Sequence, residues 1–171
     1  MESMFLQAYR FNQPLKDWNV SNVTTIEDMF EEASDFNQPL NNWNVSNVTE
    51  MSILFGGASS FNQPLNNWDV SKVEHMALMF YKSDFNQPLN NWDVSKVENM
   101  ARMFQETTCY NQPLNNWNVS NVKNMRKMFY YADSFNQPLN DWNVSQVIDM
   151  EFMFQETTCY NQPSTIGMFQ M

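Results

Sequence analysis

FNQPLNNWDVSKVENMARMFQETTC, residues 85–109, is one period of a pattern that governs the chain. The phrase FNQP or YNQP begins at Phe11, Phe36, Phe61, Phe85, Tyr110, Phe135 and Tyr160, a beat of 25 residues with one residue missing between Phe80 and Phe85. Self-similarity at this spacing is the mark of a repeat array in which each unit buries its apolar residues against its neighbours. The 171 residues divide into a partial repeat over 1–10, six full repeats over 11–159 and an incomplete repeat over 160–171.

Two hydrophobic periods share each unit. Trp18 and Val20 flank Asn19, the alternation of a short half-buried strand. Val23, Ile26, Met29, Phe30 and Ala33 then recur at the spacing of one helical stripe. The serine between them, Ser21 in the first unit and Ser145 in the last, stands where a helix N-cap belongs. Ser71 with Glu74, and Ser95 with Glu98, complete capping boxes. Pro14 and its equivalents fix φ and lack a donor, so they predict the bend into the next unit. The Trp column, from Trp18 through Trp142, is expected in the core, where each buried ring is worth roughly 4 to 6 kcal/mol at the upper limit of area bookkeeping.

The segment L-x-x-W-x-V-x-x-V, as in Leu15 to Val23 and Leu40 to Val48, resembles the leucine-rich-repeat segment with Trp and Val in place of Leu and Asn. The whole unit resembles the BspA-like surface repeat of mycoplasma and listeria type. That resemblance implies an α/β repeat solenoid, leucine-rich-repeat-like, with a parallel strand ladder on one side and short helical segments on the other. It also implies a surface or interaction protein. An internal Asn ladder, if present, has to come from the F-N-Q-P asparagines, Asn12 through Asn161.

A net charge of -10 opposes binding to phosphate backbones or anionic lipid. No apolar run approaches a membrane span, and no signal peptide is visible. Nucleic acid and membrane insertion are therefore not expected. Seven of the nine basic residues lie between Lys72 and Lys127, while Glu27, Asp28, Glu31, Glu32 and Asp35 crowd the first unit. The middle of the stack can carry a mixed or basic patch, or these charges are solvated faces that drift between units.

Nothing nominates catalysis or a cofactor. His75 is the single histidine and occupies a position held elsewhere by Thr, Glu, Asn or Asp. Three glycines leave little for a phosphate cradle. Cys109 and Cys159 lie two units apart, about 10 Å at strand spacing, which is too far for a disulfide. The N-x-S/T sequons, such as Asn22 and Asn47, arise from the repeat itself and are weak signals for glycosylation.

Two classes of function remain. In the first, an interaction module binds a protein or glycan through its surface. Tyr81, Lys82, Tyr130 and Tyr131 are candidates because their positions vary most between units. Asn19, Asn44, Asp69, Asp93, Asn118 and Asn143 are candidates because they form a regular polar column, although such columns also bond along a stack for purely structural reasons. In the second, a structural component of a surface layer or shell self-associates end to end through Met4, Phe5, Ile166, Met168 and Phe169.

Overall fold

The computed structural model describes residues 1–163. The repeat units stack in chain order, and the stacking is written in backbone hydrogen bonds. In one unit the N–H groups of Ile26, Asp28, Phe30 and Glu32 donate to the carbonyls of Glu50, Ser52, Leu54 and Gly56 in the next, at 2.7–3.1 Å. The intervening N–H groups of Met29, Glu31 and Ala33 turn inward and donate three residues back, to Ile26, Asp28 and Phe30. The same alternation recurs in each unit through the fifth, and the first row starts at the Met1 amino group, which donates to the Thr25 carbonyl at 2.7 Å.

This alternation overturns the expected architecture. Among the described residues there is no helix, and strand pairing is confined to isolated parallel bridges at Thr25, Glu50, His75, Asn99, Asn124 and Asp149. The α/β leucine-rich-repeat-like solenoid, with its strand ladder and helical segments, is therefore incorrect. A helix needs every N–H directed along its own axis, whereas here every second N–H leaves for the neighbouring unit. Two left-handed residues per unit produce the switch, for example Asp28 at φ 54° and Glu32 at φ 55°, or Leu78 at 58° and Lys82 at 53°. The stripe was read correctly as buried and wrongly as helical: Ile26, Met29, Phe30 and Ala33 are fully buried on a train of tight turns.

The strand expected near Trp18 to Val20 is likewise absent, the bridge column lying seven residues further on. Tryptophan is nonetheless core from the second unit onward. The indole N–H of Trp43, Trp68, Trp92, Trp117 and Trp142 donates to the carbonyl of the preceding unit's leucine at 2.9–3.0 Å. The partner requirement of a buried indole is thus met between units. Two columns of stacked rings fill the remaining interior. One runs Phe5, Phe30, Phe55, Phe80, Phe104, Phe129 and Phe154 with centroids 5.4–5.9 Å apart. The other carries the F/Y of each F-N-Q-P phrase.

Serine is not an N-cap. The Oδ1 of Asn19 accepts the backbone N–H of Ser21 at 3.1 Å, and Asn44, Asp69, Asp93, Asn118 and Asn143 repeat the contact. These are Asx turns that set the corner between the Trp segment and the stripe. The F-N-Q-P asparagines do form a ladder, but on the surface and not in the interior. Asn12 Oδ1 accepts from both the Asn37 N–H and the Gln38 amide at 3.0 Å, and Asn37, Asn62, Asn86, Asn111 and Asn136 pass the contact on.

The short unit is repaired by one hydroxyl. Elsewhere the phrase's first N–H, as at Phe36, donates to the backbone carbonyl three residues back. With a residue missing, Phe85 donates instead to the buried Ser83 Oγ at 3.4 Å, and that hydroxyl donates to the Phe80 carbonyl at 2.9 Å.

Candidate functional site

The second left-handed position of each unit places its side chain at a protruding corner, because the backbone there is turned away from the core. Glu32, Gly57, Lys82, Glu106, Tyr131 and Glu156 share this column, and their identities differ as those of the core do not. Between the third and fifth full units the corner encloses an open hollow of about 540 Å³, lined by Lys82, Asp84, Glu106, Thr108, Tyr130, Tyr131 and Asp133.

Three of the residues singled out from sequence therefore meet here. Tyr130 and Tyr131 pack edge to face with centroids 4.6 Å apart, and Tyr131 is 42% exposed. Lys127 Nζ stands 4.7 Å above the Tyr130 ring. Lys82 lies across Tyr81 at 5.1 Å and pairs with Glu106 at 3.6 Å. The hydrogen bond with Tyr81 and the charge of Glu106 raise the Lys82 pKa. Glu156 and Tyr130 raise that of the Tyr131 phenol, which stays neutral and able to donate. Asp84, Glu106 and Asp133 against one paired lysine leave the hollow net negative.

Tyr81 touches Lys82 but does not line the hollow, and neither does any member of the column Asn19, Asn44, Asp69, Asp93, Asn118 and Asn143. Those six are exposed, but each Oδ1 is committed to its own turn. Glu106 belongs to the same variable column as Lys82 and Tyr131, whereas Asp84 and Asp133 are not among the residues the sequence singles out. The signal that finds the two aspartates is columnar, since they flank Thr108 in one column of the third to fifth units.

Three of the central basic residues, Lys82, Lys123 and Arg126, are ion-paired. Lys123 pairs with Glu98 at 2.7 Å, and Arg126 pairs with Asp149 at 3.6 Å and with Glu151. Cys109 and Cys159 are free and exposed. Among the described residues no cluster of His, Cys, Asp and Glu suits a metal ion, and no helix is long and apolar enough to cross a membrane. At the N-terminal end Met4 is 50% exposed and Phe5 half-buried. Ile166, Met168 and Phe169 lie outside the described residues.

No curated protein and no solved structure matches the chain significantly. A family model matches it twice, over residues 1–84 and 71–167, and together these cover nearly all of it. By that match the chain belongs to the repeat family described as Mycoplasma protein of unknown function, DUF285.

Proposed function

We propose that the chain is a non-enzymatic interaction module that receives a partner protein in the hollow beside Tyr130 and Tyr131. The observation that carries this reading is the pairing of two adjacent tyrosines with three carboxylates in one open concavity. Tyrosine offers a large, stiff, amphipathic contact surface at low entropic cost and is enriched where interfaces draw their energy. Asp84, Glu106 and Asp133 favour a lysine or arginine side chain of the partner over an acidic one. A glycan is the other occupant consistent with aromatic faces beside carboxylates. The net charge argues against nucleic acid and anionic membranes as partners. The resemblance of the unit to BspA-like surface repeats supports an interaction role.

The test is a screen of the 171-residue chain against arrayed peptides and glycans, repeated with Tyr130→Ala/Tyr131→Gly. Glycine stands naturally at the equivalent corner, Gly57 at φ 69°, so this variant keeps its fold. Relief of left-handed strain at Tyr131, at φ 54°, offsets lost contacts by about 1 kcal/mol. Lys- or Arg-bearing peptides that bind the native chain are expected to lose binding to the variant. Hits that are the same for both proteins overturn the proposal, and hits confined to glycans replace the protein partner with a carbohydrate.

A further inference from the structure

The stack is polar, and its two ends differ in what they leave open. Each internal junction is made by one unit's row of N–H donors and the next unit's row of carbonyls. At the C-terminal end the donor row falls on Met150, Phe152, Phe154 and Glu156, whose N–H groups have no acceptor among the described residues. At the N-terminal end the acceptor row falls on Glu2, Met4 and Leu6, whose carbonyls have no donor among the described residues.

We infer that these two faces form one head-to-tail interface, and that its occupant is a second copy of this chain. The internal junctions fix the register. Ser3, Phe5 and Gln7 donate to Glu27, Met29 and Glu31, so Phe152, Phe154 and Glu156 of one molecule meet the carbonyls of Glu2, Met4 and Leu6 of the other. The side chains follow the same rule. Met4 occupies the position of Met29, which is fully buried, yet Met4 is 50% exposed. The ring column ends on Phe5 at one face and Phe154 at the other, and junction formation joins them. Because donors and acceptors lie on opposite ends, the contact is heterologous and extends without closing. Glu2 and Glu151 share a column and face each other across the junction, so association strengthens with added salt.

The experiment is sedimentation of the full 171-residue chain over a concentration series at low and moderate salt. Reversible growth is expected. Met4→Glu blocks the acceptor face and Phe154→Glu the donor face. Each variant alone stays monomeric, and an equimolar mixture yields dimers and nothing larger, since one good face survives on each. Thermal melts confirm that both remain folded; if Phe154→Glu does not fold, Met4→Glu alone decides. A native chain that stays monomeric throughout, or growth that Met4→Glu leaves unchanged, overturns the inference.

Discussion

At the scale of single residues, the acidic first unit carries a cost that titration reveals. Asp28 sits at φ 54° with a buried Oδ1 that has no hydrogen-bond partner. Desolvation, then the charges of Glu2 and Glu50, raise its pKa above 3.8, and Glu27 and Glu31 are raised for similar reasons. A carboxyl whose folded pKa lies above its unfolded value binds its proton more tightly in the folded state. The penalty is therefore complete above the raised pKa, is relieved as pH falls through it, and is gone below 3.8. Asn tolerates the left-handed region and removes the charge. Asp28→Asn is expected to raise stability at pH 7 by up to about 1 kcal/mol, discounted for partial exposure. Urea melts at pH 7 and pH 3.5 check this, with the advantage disappearing at the lower value. An advantage unchanged by pH would place its origin in packing.

At the scale of the element, the Asx turn does the work assigned from sequence to a helix cap. Asn118 Oδ1 holds the Ser120 N–H at 3.2 Å, and Asp69 and Asp93 do the same in their units at 3.1 and 3.0 Å. Asn118→Ala is thus expected to cost about 1 kcal/mol and Asn118→Asp little, as a shift of the urea midpoint would show. Equal losses for both variants would mean that the turn does not depend on the acceptor. The sequence declared the period, the buried Trp column from the second unit onward and the buried stripe, and it limited any Asn ladder to the F-N-Q-P asparagines. It did not declare the helix-like stripe's real backbone, because Ile26, Met29, Phe30 and Ala33 satisfy a helical spacing and a train of i to i+3 turns equally well. What separates the two is the left-handed residue at positions 28 and 32, and at those positions the chain uses Asp, Ile, Leu, Arg, Lys and Phe as readily as Gly. Such side chains carry no left-handed signature, since that conformation is imposed by the neighbouring unit. The hollow was half legible for a related reason: Tyr130, Tyr131 and Lys82 stood out as variable, while the carboxylates opposite them are neighbours only after stacking.

At the scale of the whole molecule, every unit is held by the same rows of bonds to the units before and after, so stability is a sum of unit and junction terms. Removal of one complete period leaves that sum nearly intact. Deletion of residues 85–109 joins Asp84 to Tyr110, and the donor row at Met76, Leu78, Phe80 and Lys82 then meets the carbonyls of Asn124, Arg126, Met128 and Tyr130, which are built to receive such a row. Asn62 finds Asn111 in place of Asn86, and the Trp117 indole finds the Leu65 carbonyl in place of that of Leu89. The Thr107 hydroxyl bond to Phe80 and the Lys82 to Glu106 pair are lost with the deleted unit. The shortened chain is expected to fold cooperatively with a urea m-value lower by about one-sixth, in proportion to the surface buried. Deletion of residues 85–96 alone removes half a period, puts core side chains opposite turn residues, and is expected to abolish cooperative unfolding. Two deletions that fold equally well, or a whole-period deletion that does not fold, would show that the units are not interchangeable and that stability is lodged in particular neighbours.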